Sequence, residues 1–292
     1  MSFDPFLYVA LALGVVAGRF LPHPGAWVGR ATLATVGILV GLLGASLDSI
    51  GVDALALSVP ISLGFALLVL GLTAALYLGL ARPGARRSKE RTSARPTLPP
   101  RFPWLSVALL AALVGGYAVG KFVAFPASAS IPYALYVLLA LVGFDLRFRW
   151  RSLGRVWVPI VSASAAAVTA GLVFAVASGT ALSISLATTL AFGWYTLAGP
   201  LVVARAGAAL GLLAFLTNFL RENLTMVLSP VLGRRLRGPG LAALGGATAM
   251  DTTLYFVTRF GDEESASLAL ASGLVLTLAA SLLLPLVLAL PQ

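Results

Sequence analysis

Apolar runs of roughly 17 to 27 residues recur from Phe6 almost to the C-terminus, and a helix of that length crosses a hydrocarbon core about 30 Å thick. In lipid the backbone must satisfy its own polar groups, so such runs fold as helices. Apolar residues make up 59% of the chain and charged residues 10%, whereas a soluble domain carries about a quarter charged residues. No polar face is left to meet water, which excludes a soluble globular protein. The expected fold is an all-α polytopic membrane protein. The start, Met1-Ser2-Phe3-Asp4, lacks the basic residues of a cleaved signal peptide, so the first run is expected to stay as a helix.

With no cysteine, the chain has no disulfide, thiolate metal site or cysteine nucleophile. Its one histidine, His23, sits in the turn Leu21-Pro22-His23-Pro24-Gly25 and reads as a loop residue. No cofactor is expected. A net charge of +10 suggests nucleic acid until the basic residues are located. Seven fall between Arg82 and Arg101, four between Arg147 and Arg155, and three between Arg234 and Arg237, all in short loops beside apolar runs. That is the cytoplasmic bias that orients membrane proteins. Anionic lipid headgroups, not nucleic acid, are the partner it implies.

Crossings are expected at 6–20, 31–47, 54–80, 104–125, 131–144 and 156–178, with the N-terminus outside. Gly14-Val-Val-Ala-Gly18-Arg19-Phe20 is echoed by Gly116-Tyr-Ala-Val-Gly120-Lys121-Phe122, and Gly44-Ala-Ser-Leu47 by Gly143-Phe-Asp-Leu146. Small residues at this spacing let helices approach closely in lipid. An odd number of crossings separates the copies, so the second is inverted in the bilayer, as recurs in secondary transporters. Residues 1–155 read as an inverted repeat of two three-helix units, 1–80 and 104–178, split by the basic cytoplasmic loop 81–103.

Residues 179–292 read as the substrate-binding half, with hairpin-plus-helix units at 181–232 and 239–290. Gly193-Trp-Tyr-Thr-Leu-Ala-Gly199-Pro200 opens the first, and Gly246-Ala-Thr-Ala-Met-Asp251-Thr-Thr-Leu254 opens the second. If 181–204 and 241–258 each return to the side they entered, Arg234, Arg235 and Arg237 fall in the cytoplasm. The expectation is eight crossings plus two re-entrant hairpins opening to opposite sides, with ten crossings and broken helices as the rival. Either arrangement needs irregular backbone buried in protein or lining a wet cavity.

Three acidic residues resist explanation as solvated termini or loops: Asp48, Glu222 and Asp251. Glu222 lies in Asn218-Phe-Leu-Arg221-Glu222-Asn223, near the middle of an apolar run. A charge at the bilayer centre costs about 2.5–3.5 kcal/mol on insertion scales and therefore faces protein or water. Adjacent helical residues do not face each other, so Arg221 and Glu222 are expected to serve different neighbours. Asp251, flanked by Thr248, Thr252 and Thr253, suits a helix break with freed amides and hydroxyls, or equally an N-cap. Asp48 lies towards the outer end of the second crossing. Trp194, Tyr195 and Thr196 lie beside the first break, where aromatic faces suit an ammonium group.

Phe192-Gly-Trp-Tyr-Thr-Leu-Ala-Gly199, Asn218-x-x-Arg221-Glu222 and Gly246-Ala-Thr-Ala-Met-Asp251-Thr-Thr-Leu254, in that order, resemble the LysO-type lysine exporters. The resemblance is densest from about Ala191 to Gly261. It implies a bacterial or archaeal inner-membrane protein that exports lysine and its toxic analogues, with both termini outside. It also implies a membrane-embedded acidic pair, which Glu222 and Asp48 match.

Lysine presents two ammonium groups and one carboxylate. Glu222 with Asp48 or Asp251 are candidate acceptors for the ammonium groups. Arg221, or amides at a broken-helix N-terminus, are candidate donors for the carboxylate. Exporting a cation from a negative-inside cell works against about 2.3 kcal/mol per 100 mV. The chain has no Gly-Lys-Ser/Thr sequence, so protons as counter-ion are the expected drive, with Glu222 and Asp48 as coupling groups. A sodium/proton or other small-cation antiporter is the alternative within transport; an intramembrane aspartyl enzyme using Asp48 and Asp251 is the rival from another class. A homo-oligomer is compatible with the same sequence.

Overall fold

The structure, a computed structural model, describes residues 6–20, 27–47, 52–81, 104–123, 126–145, 156–250, 252–260 and 263–290. Asp48, Asp251, His23, and the basic segments 82–103 and 146–155 lie outside the described residues. Helices are the regular structure throughout: α1 (Phe6–Phe20), α2 (Trp27–Ala45), α3 (Val52–Leu80), α4 (Trp104–Phe122), α5 (Ala127–Asp145), α6 (Trp157–Ser178), α7 (Leu182–Thr189), α8 (Tyr195–Ala206), α9 (Ala208–Gly245), α10 (Leu254–Phe260) and α11 (Glu263–Leu288). A 3₁₀ turn, Gly246–Met250, joins α9 towards α10. Ala56–Leu80, Trp157–Ser178 and Ser267–Leu288 are each long and apolar enough to cross a bilayer. Phe20, Phe122 and Val176 are each more than 80% exposed. Large apolar side chains in that state suit lipid, where water would make each a liability of about 1.5–3 kcal/mol. The chain is an all-helical membrane protein.

The paired glycines decide how the first helices pack. Gly14 and Gly18 of α1 lie against Ala140 and Phe144 of α5, and Gly116 and Gly120 of α4 lie against Gly41 and Ala45 of α2. At each of the four, a Cβ would come 3.0 Å from the facing Cα. Only a residue without a side chain lets two backbones meet this closely. The numbers rise together along both members of each pair, so α1 runs parallel to α5 and α2 parallel to α4.

The third helix of each early unit leaves its companions. α3 packs along α9, where the Ser62 hydroxyl lies 3.4 Å from the Leu213 carbonyl, and Tyr77 reaches Gly240. α3 also meets α6 through the rings of Phe65 and Phe174, with centroids 3.9 Å apart. The resulting core joins Leu39, Leu43 and Leu138 from the first half to Phe192, Leu197 and Phe215 from the second.

Arg237, with φ 54° and ψ −171°, breaks α9 into a long part, 208–236, and a short part, 238–245. Gly238-Pro239 follows directly, and proline disfavours a helical residue before it. Segment 182–206 begins beside the end of α6 and ends at Gly207 (φ 90°), where α9 begins. α8 runs back along α9, with Gly199 facing Phe215 and Gly211 facing Val203. Segment 238–260 leaves the other end of α9, and Phe260 returns to Gly233. α8 therefore ends beside the start of α9, and α10 ends beside Gly233, towards the far end of the long part of α9. At the first of these ends the Arg205 Nε donates to the Leu288 carbonyl at 2.9 Å, tying α8 to the last turn of α11.

Candidate functional site

The first hairpin turns at Leu190–Trp194. α7 closes with the Leu190 amide donating to the Leu186 carbonyl at 2.8 Å. Phe192 and Gly193 then take φ values of 54° and 94°. Gly193 adopts this region freely; Phe192 is held there although a bulky residue disfavours it by about 1–2 kcal/mol. Two contacts impose the shape. The Phe192 carbonyl accepts the Ala247 amide at 2.9 Å, and the Gly193 amide donates to Asn218 Oδ1 at 2.9 Å.

Asn218 spends its remaining donors on the Thr188 carbonyl, at 2.7 Å, and the Ala214 carbonyl, at 2.9 Å. It thus fastens both sides of the break in the first hairpin to α9. Two turns further, Thr225 Oγ1 donates to the Arg221 carbonyl at 2.8 Å and lies 3.4 Å from the Leu244 carbonyl of the second hairpin. Residues 218, 221, 222 and 225 follow helical spacing along one stripe. All four are buried, none more than 2% exposed.

Glu222 lies midway along 208–236, at the level where the hairpin tips meet. Arg221 beside it is 1% exposed. Its Nη2 lies so near Gly246 that a Cβ there would be 2.9 Å away. The Arg221 guanidinium and the hydroxyls of Thr217 and Ser183 have no hydrogen-bond partner among the described residues. A buried, unpaired cation is among the most expensive groups a fold can hold, and more so in a membrane interior.

Of the other sequence-identified residues, Trp194, Tyr195, Thr196, Thr248 and Thr252 are among those described. Tyr195 is buried, and Phe215 and Phe219 meet its ring edge-on at 5.3 and 5.4 Å. Trp194 is half-buried against the same core. Thr196 is buried, and Pro200, four residues on, has no amide to give its carbonyl. In the second hairpin the Thr248 hydroxyl donates to the Gly245 carbonyl at 3.0 Å and lies 3.5 Å from the Thr253 hydroxyl. Thr252 is half-buried. α11 supports this tip from behind, where Gly273 lets Met250 approach.

Sequence reading did not single out Thr188, Thr217 or Thr225, and named Phe192 and Gly246 only as the first residues of motifs. A run of hydroxyl residues inside apolar helices was the available signal for the threonines. For Phe192 there was none, because its role is carried by its carbonyl. No group of three or more His, Cys, Asp or Glu residues that could hold a metal ion occurs among the described residues.

A glutamate and a guanidinium at mid-helix, between two hairpin tips, is an arrangement suited to a small charged solute. The family described as "Lysine exporter LysO" matches residues 110–288, which include both hairpins and the whole of α9. The Escherichia coli (strain K12) protein named "Lysine exporter LysO" is 32% identical over 189 residues, 61% of this chain and 62% of that protein. The Haemophilus influenzae protein named "Putative lysine exporter" is 30% identical over 183 residues, 61% of this chain and 93% of its own length. The match thus spans less than two thirds of the E. coli relative, and no solved structure matches. By the extent of the family match, which covers more than half of its residues, the chain belongs to the LysO lysine exporter family.

Proposed function

We propose that this protein is a secondary active exporter of L-lysine and lysine analogues, exchanging the cation for protons across the cytoplasmic (inner) membrane. The observation that carries the reading is the burial of Glu222 midway along α9, at the level where the hairpin tips meet. A carboxylate buried among apolar helices is a suitable acceptor for an ammonium group, and the relatives are named for a cationic amino acid.

In this reading α1–α6, the long part of α9 and α11 are eight crossings, and 182–206 and 238–260 are re-entrant hairpins. The basic residues at 234, 235 and 237 then share the cytoplasmic side with segments 82–103 and 146–155, and both ends of the chain face outward. The glycine contacts support the inverted repeat. α1 rests on α5 through Gly14–Ala140 and Gly18–Phe144, and α4 rests on α2 through the corresponding Gly116–Gly41 and Gly120–Ala45. The first helix of each unit uses the second helix of the other.

Glu222, with Asp48 as its expected partner, binds either a proton or an ammonium group of the cargo, and occupancy by one excludes the other. Protons entering from outside reset the site after lysine leaves. Thr196, Thr248, Thr252, Asp251, Trp194 and Tyr195 form the walls, and Asn218 holds the first break in register. The carbonyl that Pro200 leaves without a helix bond, that of Thr196, is an added acceptor for an ammonium group.

The test is radiolabelled lysine uptake into inverted proteoliposomes with an acidic lumen, wild type against Glu222→Gln. Wild type is expected to accumulate lysine, to lose accumulation when a protonophore collapses the gradient, and to lose uptake at least tenfold with Glu222→Gln. Uptake of sodium without lysine would favour the small-cation antiporter. Lysine uptake indifferent to both pH gradient and voltage would sink proton exchange.

A further inference from the structure

Seven hydroxyl residues of α6, α7 and α9 share a habit that Thr217 lacks. Ser162, Ser178, Ser185, Thr188, Thr189, Thr225 and Ser229 each turn the hydroxyl back to the carbonyl four residues earlier, at 2.5–3.2 Å. This is the usual way a threonine or serine settles in an apolar helix. Thr217 is 1% exposed and has no such partner. It sits four residues before Arg221, on the same stripe of α9. Long helical side chains lean towards the N-terminus, over the preceding turn. Arg221 and Thr217 are therefore neighbours, and all three guanidinium nitrogens and the hydroxyl lack a partner among the described residues. Gly246 presents a bare α-carbon to Nη2 in place of a side chain.

A guanidinium has five donors in a planar fork that matches a carboxylate bidentately, and a threonine hydroxyl adds a third donor beside it. We propose that Arg221 and Thr217 form a carboxylate subsite beneath the meeting hairpins, which takes the α-carboxylate of the amino-acid cargo. The subsite rests on the exporter reading and deepens it. The ammonium groups go to acidic residues, and the carboxylate completes a buried cation that has no hydrogen-bond partner among the described residues. Cargo lacking a carboxylate leaves that cation uncompensated and is rejected, because a site built to bond a group discriminates strongly against its absence.

The experiment is counterflow exchange in proteoliposomes loaded with unlabelled lysine, with external lysine, lysinamide or cadaverine as competitors. The last two carry lysine's ammonium groups without its carboxylate. In the wild type both are expected to compete at least tenfold more weakly than lysine. Thr217→Val, which keeps shape and removes the hydroxyl, is expected to weaken lysine three- to tenfold and leave cadaverine unchanged. Arg221→Lys, which keeps the charge without the fork, is expected to weaken lysine at least tenfold, again without moving cadaverine; Arg221→Gln, where it folds, brings lysine down to the level of lysinamide. Equal competition by all three compounds in the wild type overturns the subsite while leaving lysine export intact. So does a loss in Thr217→Val and Arg221→Lys that affects lysine and cadaverine in equal proportion. A chloride requirement for lysine exchange that disappears in Arg221→Lys overturns it in favour of an inorganic anion. No saturable lysine exchange in the wild type sinks the exporter reading, and the subsite with it.

Discussion

The Ala247 amide donates to the Phe192 carbonyl at 2.9 Å, and through this main-chain bond two hairpins from opposite ends of α9 touch at their tips. Neither side chain takes part, so the bond depends on backbone shape: φ 54° at Phe192 and φ 64° at Gly246. Everything polar in the site is arranged around it. Asn218 fixes one tip, Thr225 reaches towards the carbonyl before the other, and Arg221 lies against Gly246.

Gly246→Ala is expected to be among the most damaging small substitutions in the chain. A methyl group there meets the Phe192 carbonyl and stands 2.9 Å from Arg221 Nη2, at a φ that side chains resist. Strain at such a φ costs about 1–3 kcal/mol, and the displaced tip adds to it. Gly207→Ala is the control: its φ is 90°, yet nothing lies within 4 Å of the new methyl. Melting in detergent is expected to fall clearly further for Gly246→Ala, and lysine exchange is expected to be lost in it alone.

Asn218→Ala removes three hydrogen bonds and leaves the Gly193 amide and the Thr188 carbonyl buried without their partner. Each orphaned group costs about 1–3 kcal/mol. A loss of about 2–4 kcal/mol in unfolding stability is expected, read by thermal denaturation in detergent. Asn218→Leu should be no better, since filling the space does not restore the bonds; recovery of stability with leucine would show that volume, not bonding, is what Asn218 supplies.

The polar stripe of α9 and the two breaks in the helices beside it were legible because lipid leaves polar groups no solvated alternative. Asn218, Arg221 and Glu222 inside an apolar run must face protein, and glycine with threonine in a would-be crossing must interrupt it. The glycine pairs were legible for the same reason, as gaps in side-chain volume at helical spacing. What escaped was everything set by contact between segments distant in sequence. The positive φ of Phe192 is imposed by Asn218 and Ala247, which lie beyond any local signal. Two threonines of α9, Thr217 and Thr225, read alike in sequence, yet one hydroxyl bonds back to its own helix and the other does not. The Tyr195 ring, read as a site wall, is met edge-on by Phe215 and Phe219, one turn apart on α9. Asp48 and Asp251, legible as rare acidic residues, lie outside the described residues.

Gly18→Leu and Gly120→Leu are expected to fail alike. Each inserts a side chain where the facing Cα, of Phe144 or of Ala45, stands 3.0 Å from the new Cβ. Overpacking of this kind costs about 1–3 kcal/mol or more. Gly64, Gly71 and Gly115 meet nothing within 4 Å, and leucine there is expected to be tolerated, with a small gain in helix propensity. Melting temperatures of the five variants in one detergent test both halves of the statement. Similar losses at Gly18 and Gly120, against little change at the other three, are the expected pattern.

The absence of cysteine from the chain makes its topology directly testable. Single cysteines at Ser178, Gly207 and Arg235 can be probed in intact cells with a membrane-impermeant thiol reagent and compared with labelling in inverted vesicles. Residues 178 and 207 bracket the first hairpin, and 235 lies near the far end of the long part of α9. If 182–206 re-enters, Ser178→Cys and Gly207→Cys label from outside and Arg235→Cys from the cytoplasm. If 182–206 crosses fully, an odd number of crossings separates 178 from 207, and the two label from opposite faces. The charge argument agrees with the first outcome, because a full crossing at that point would reverse α9 and put Arg234, Arg235 and Arg237 on the outer face, against the bias of every other basic loop. Opposite labelling of 178 and 207 would therefore overturn the hairpin, and with it the view that the two tips approach one site from opposite sides of the membrane.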